Sequence, residues 1–235
     1  MTTSLLVTTA LHFVLLYHYA TTYWFYLTDT KERMYAARLY TFGGEYKYLT
    51  IWTMLLQLFY FFWCCVTDLI SASASETSVG KVAVAVRDWF LAAVVFPIGT
   101  LVVTTFWAIY AVDRELIFPE ALDKFFPSWL NHALHTYVLP LLLVDMLLVN
   151  HKYPSRRAGM AGTLAFGFSY LIWILFLGFA KDIWVYPFFK VLHGVYFPIF
   201  FATMSLILIM FYIIGEKTNA LLGGYKKEVS TEKID

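Results

Sequence analysis

The chain has 235 residues, of which 60% are hydrophobic, 20% aromatic and only 14% charged, a balance that excludes an ordinary water-soluble domain. Seventeen basic residues against 16 acidic ones leave a net charge of +1, so no global field favours nucleic acid or a strongly anionic partner. The apolar residues fall in blocks of roughly twenty, the length of a helix crossing the hydrocarbon core of a bilayer.

These blocks predict an all-α, polytopic membrane protein, a bundle of about six transmembrane helices over roughly 4–28, 47–67, 89–112, 129–149, 160–180 and 191–214. The division expected is one six-helix transmembrane domain over residues 1–215 and a polar, mixed-charge, solvated tail over 216–235. The first block has no basic region before it and no small-residue cleavage pattern after it, so it reads as a retained span rather than a secretory signal. Tyr23, Trp24 and Tyr26 close it, and Trp129, Trp184 and Tyr186 flank later blocks in the manner of an interfacial aromatic belt.

In the second block, Lys47-Tyr48-Leu49 precedes Thr50, and the adjacent Cys64 and Cys65 read as packed or lipid-facing thiols rather than a disulfide. Pro97, Pro140 and Pro198 fall within the third, fourth and sixth blocks, where each removes a backbone donor and bends its helix. The fourth block opens with Asn131-His132-Ala133-Leu134-His135, which places His132 and Asn131 three and four residues before His135, on neighbouring positions of one helix face. Asp145 is the acid inside a span; it marks either a proton or substrate path or a side chain reaching for the interface. Arg156-Arg157 would meet anionic headgroups or clamp the structure. Basic residues are spread almost evenly over the connecting segments and leave the orientation open.

In an up-and-down bundle the second and fourth helices start from the same membrane face, so Thr50 and His135 lie at similar depth and can meet. A threonine hydroxyl needs a base within hydrogen-bond reach, and a neutral imidazole is suited to the task. The pair would form a minimal acyl-transfer apparatus, with Asn131, His132, Asp88 or Asp113 as a third member. A bis-histidine haem site built from His12, His18, His132, His135 or His193 is the rival reading, weakened by the six-residue spacing that turns His12 and His18 to different faces. A non-catalytic regulatory protein is the third.

Gly43-Gly44, Lys47 to Thr50, Thr67-Asp68-Leu69, Arg87-Asp88-Trp89, Phe96-Pro97, Tyr110 with Asp113-Arg114-Glu115, Trp129 to His132 with His135, Tyr153 to Arg156, Trp184 to Pro187 and Gly215-Glu216 together resemble one family. It is that of the androgen-induced and androgen-dependent integral membrane proteins, which hydrolyse fatty acid esters of hydroxy fatty acids. The resemblance spans nearly the whole chain, although residues 71–80 and the first span carry no usable motif. It implies a threonine hydrolase with Thr50 as nucleophile and His135 as base; Asn131 and His132 are supporting residues as candidate oxyanion donors, and no cofactor or metal is expected. Its partners would be the branched ester lipids and the surrounding membrane lipid, in the endoplasmic reticulum or the plasma membrane. Lys233, third from the end, is half of a retrieval signal for the former.

Overall fold

A computed structural model describes residues 3–74, 77–190, 192 and 194–232, with side chains between residues 5 and 223. His193 and Lys233 lie outside the described residues. The described chain is an all-α bundle of nine helices: α1 Thr3–Phe25, α2 Lys31–Ala36, α3 Leu49–Ala74, α4 Ser78–Phe90, α5 Phe96–Val112, α6 Ser128–His135, α7 Val138–Leu148, α8 Arg156–Lys181 and α9 Tyr196–Glu232. A π-helical turn, Tyr26–Thr30, joins α1 to α2, and another, Leu91–Val95, joins α4 to α5. Among the described residues five helical stretches are long and apolar enough to cross a membrane, and six if the bent pair α6–α7 counts as one span.

The prolines explain where the rods break. Pro140 has no N–H to offer the Thr136 carbonyl, and its ring crowds that residue out of helical geometry. Thr136 accordingly leaves the helical region at φ −123°, ψ −53°, and α6 and α7 meet at a 49° bend. Pro97 is the second residue of α5, in the first turn after the π-helical segment. Pro198 differs from the expectation of a mid-span kink: it occupies the first turn of α9, where a missing N–H costs no helical hydrogen bond.

Several spans run past their expected limits. The second continues to Ala74, and the third begins at Ser78, where the Thr77 side chain caps the helix by accepting from the Gly80 amide at 3.1 Å. The sixth runs on as α9 to Glu232 with no break at residue 215, so polar composition there does not end the helix. Its early tail is anchored, since Arg156 pairs with Glu216 at 2.6 Å and Asn219 donates to the His151 carbonyl at 2.9 Å.

One end of the bundle is held by a buried polar network. His12 places Nδ1 2.6 Å from Asp68 and Nε2 2.9 Å from Asp145. Asp145 also accepts from the Tyr60 hydroxyl at 2.6 Å and contacts His151 Nε2 at 3.1 Å, while His151 Nδ1 lies 2.8 Å from Asp88. Asp88 further accepts from the Arg87 guanidinium at 2.8 Å and the Lys152 amide at 2.9 Å. Ionised carboxylates only accept, so all four imidazole contacts form together only when both rings carry two N–H groups. Asp68, Asp88 and Asp145 are then balanced by His12, His151 and Arg87. Asp145 is fully buried, which corrects the expectation that it reaches for the interface. Cys64 is packed into the apolar core beside this network, and Cys65 is buried as well.

Candidate active site

The other end of the bundle carries the chemistry-bearing pair. Thr50 is the second residue of α3, and the chain reaches it through Gly43 and Gly44, both left-handed at φ +85° and +52°, followed by the 3-10 turn Gly44–Lys47. Glycine tolerates this backbone where an L side chain is strained. A Cβ on Gly43 would also meet the Trp173 ring at 3.2 Å. The Lys47 side chain folds back to donate to Thr41 Oγ1 at 2.8 Å, and burial pushes its ammonium below the ordinary lysine range. Tyr48 then adopts an extended conformation and α3 begins.

His135 is the last residue of α6, just before the bend. Its carbonyl is taken by the Trp107 indole N–H at 2.8 Å, and Trp107 also contacts Thr136 Oγ1 at 3.2 Å. The imidazole of His135 stacks on the Phe106 ring with centroids 3.6 Å apart and planes at 9°. Nδ1 faces two acceptors of Asn131, the side-chain oxygen at 2.8 Å and the backbone carbonyl at 3.1 Å. Nδ1 therefore carries the hydrogen, and the neutral ring turns the Nε2 lone pair to Thr50 Oγ1, 3.1 Å away. A hydroxyl donating to an imidazole that is oriented by a third residue is the geometry of an activated nucleophile.

Both side chains line a cavity of about 210 Å³ whose walls come from α3, α5, α6, α8 and α9 and the loops between them. The lining is aromatic and aliphatic, with Tyr48, Phe106, Phe118, Tyr170, Tyr186 and Phe200 among it. Polar groups are few, and three of them, His135, Tyr170 and Tyr186, contact Thr50 or the adjacent Leu49 amide, as expected of a site for a largely apolar ligand.

Of the candidate third members, Asn131 touches His135 and the others do not. His132 turns away, with Nδ1 2.9 Å from Thr136 Oγ1 and its ring stacked on Trp107, and it does not line the cavity. Asp113 caps its own loop by accepting from the Glu115 amide at 2.9 Å. Asp88 belongs to the network at the far end of the bundle. The histidines proposed for haem are dispersed: both nitrogens of His12 face carboxylates and those of His135 face Asn131 and Thr50. Among the described residues no group of three or more His, Cys, Asp or Glu side chains is arranged to hold a metal ion.

Comparison with known proteins places this geometry in context. The model of the FAR-17a/AIG1-like protein family matches residues 7–220, which takes in every residue that lines the cavity. The chain belongs to the FAR-17a/AIG1-like family. It is 37% identical over 199 residues to the human androgen-induced gene 1 protein, covering 82% of this chain and 84% of that one. It is 31% identical over 209 residues to the human androgen-dependent TFPI-regulating protein, covering 87% and 90% of the two chains. The mouse protein of the latter name is 37% identical over 177 residues, or 75% and 76%. No solved structure matches the chain. Within a FAR-17a/AIG1-like chain, then, the Thr50–His135–Asn131 arrangement joins segments 85 and four residues apart in sequence.

Proposed function

We propose that this protein is a membrane-embedded threonine hydrolase that cleaves the branched ester of fatty acid esters of hydroxy fatty acids. The observation that carries the proposal is the 3.1 Å contact between Thr50 Oγ1 and His135 Nε2 at the wall of an apolar cavity, with Asn131 fixing the tautomer. The family resemblance supports the substrate class. The apolar walls suit two acyl chains, and the polar groups gathered near Thr50 suit the ester between them.

In this reading Thr50 Oγ adds to the ester carbonyl carbon while its proton passes to His135 Nε2. The carbonyl π pair moves to oxygen and returns as the bond to the hydroxy acid breaks. His135 hands its proton to that leaving alkoxide, and an acyl-threonine remains. Water then attacks the acyl carbon with the same histidine as base, releasing the fatty acid and restoring Thr50. No cofactor or metal enters the sequence of steps. The endoplasmic reticulum or the plasma membrane would be its location.

Incubating wild type, Thr50→Ala and His135→Ala with a panel of branched ester lipids at equal membrane abundance tests the proposal. Wild type is expected to release a fatty acid and a hydroxy fatty acid, with both variants lower by at least about a thousandfold. Undiminished hydrolysis by Thr50→Ala contradicts the proposal.

A further inference from the structure

Acyl transfer through Thr50 would need donors for the oxygen that becomes negative, and two tyrosines stand beside the nucleophile. The Leu49 amide, one residue before Thr50, donates to the Tyr170 hydroxyl at 3.0 Å and to the Tyr186 hydroxyl at 3.1 Å. Both rings line the same cavity as Thr50 and His135. The Tyr170 hydroxyl hydrogen goes to the Lys47 carbonyl at 3.0 Å. The Tyr186 hydrogen is left with the Tyr170 oxygen, 3.2 Å away and already engaged as donor and acceptor, as its acceptor among the described contacts. Tyr186 is thus a hydroxyl at the cavity wall whose oxygen is pinned and whose hydrogen is weakly committed. Its ring is held in place, stacked on Phe188 with centroids 5.5 Å apart and edge-on to Tyr48 at 6.0 Å.

A second donor comes from the helix itself. First-turn amides of a helix lack intrahelical acceptors. The Tyr46 carbonyl, which the Thr50 amide would reach were the helix continuous, instead accepts the Trp52 and Trp173 indole N–H groups at 2.7 and 3.0 Å. The Thr50 N–H therefore points out of the N-terminus of α3, where the helix dipole favours negative charge.

We propose that the Tyr186 hydroxyl, together with the Thr50 amide, forms the oxyanion-binding pair for the tetrahedral intermediate. The inference rests on the hydrolase reading above. As the Thr50 oxygen bonds to the carbonyl carbon, the electron pair displaced onto the carbonyl oxygen is met by the Tyr186 O–H, which donates a hydrogen bond and keeps its proton. Tyr170 holds the Tyr186 hydroxyl in position and makes no hydrogen bond to the oxyanion, its own hydrogen going to the Lys47 carbonyl.

The test compares Tyr186→Phe, Tyr170→Phe and Thr50→Ala on one branched ester and on its thionoester, whose sulfur is a weaker hydrogen-bond acceptor. Tyr186→Phe is expected to lower kcat by about a hundredfold to a thousandfold with KM changed less than about threefold. It should also shrink the rate penalty for the thionoester, a readout that a loss of packing would not move. Tyr170→Phe should keep the full thiono penalty. If Tyr186→Phe does not accumulate, 3,5-difluorotyrosine at position 186 preserves shape and hydroxyl, and an unchanged thiono penalty with it overturns the inference. A Tyr186→Phe enzyme with wild-type kcat beside an inactive Thr50→Ala overturns this inference and leaves the hydrolase reading standing. An active Thr50→Ala overturns both.

Discussion

Asn131 decides which nitrogen of His135 faces Thr50. With the Asn131 side-chain oxygen 2.8 Å from Nδ1, the hydrogen stays on that side and the lone pair of Nε2 is presented to the hydroxyl. Because the backbone carbonyl of the same residue also lies 3.1 Å from Nδ1, truncation leaves partial orientation. Asn131→Ala is therefore expected to lower kcat by about ten- to a hundredfold, with KM little changed. A loss as deep as that of His135→Ala would mean that Asn131 does more than orient the ring.

His132 provides the contrast. Its contacts run to Thr136 and Trp107, behind the site. His132→Gln should retain hydrolysis within a few-fold of wild type in the same assay. A hundredfold loss would assign His132 a part that its position gives no reason for.

The buried network at the far end should matter to stability before it matters to rate. Eighteen residues of α3 separate Thr50 from Asp68, roughly 27 Å at helical rise, so the two polar centres are well separated. Asp145→Asn leaves His12 and His151 each facing an amide in place of a carboxylate, and breaking one member of such a buried charged set costs about 3–5 kcal/mol. Thermal unfolding in detergent should show that loss, while the fraction that stays folded keeps near wild-type activity. An unchanged transition would mean that the network contributes nothing to the fold.

Gln57 is expected to behave in the opposite sense. It is fully buried, and among the described residues neither its side-chain oxygen nor its nitrogen has a hydrogen-bond partner. It packs where α5 comes close at Gly99, beside Val138 and Leu142. Replacing it with leucine removes two unsatisfied groups from an apolar setting, and Gln57→Leu should raise stability by about 1–3 kcal/mol. A drop would reveal that something polar meets Gln57 in the membrane.

Most of the fold can be read from hydropathy, because spanning a bilayer forces long apolar helices and leaves few alternatives. The limits of the helices are less legible. Hydropathy marks where apolar residues stop, whereas a polar residue with good helix propensity can continue the backbone hydrogen-bond ladder, so the second span runs past residue 67 and the sixth past 215. Thr50 and His135 could be paired because each lies near the start of an apolar block on the same side. Choosing Asn131 over His132 could not be done, since both are one turn from His135 and the choice depends on side-chain direction, Asn131 toward His135 and His132 toward Thr136. The His12–Asp145–His151 network is not legible in the sequence, since it joins residues as far as 133 apart and no spacing links them. Tyr186 reads in the sequence as a member of the aromatic belt, and nothing local shows that it comes to Leu49 from 137 residues away.

The most direct test of the central claim is to locate the covalent adduct left by a fluorophosphonate probe, using mass spectrometry of peptides from the purified, detergent-solubilised protein. The account predicts phosphonylation of the Thr50 hydroxyl, abolished in Thr50→Ala and greatly reduced in His135→Ala. An adduct on another residue, or one that persists in Thr50→Ala, would contradict it.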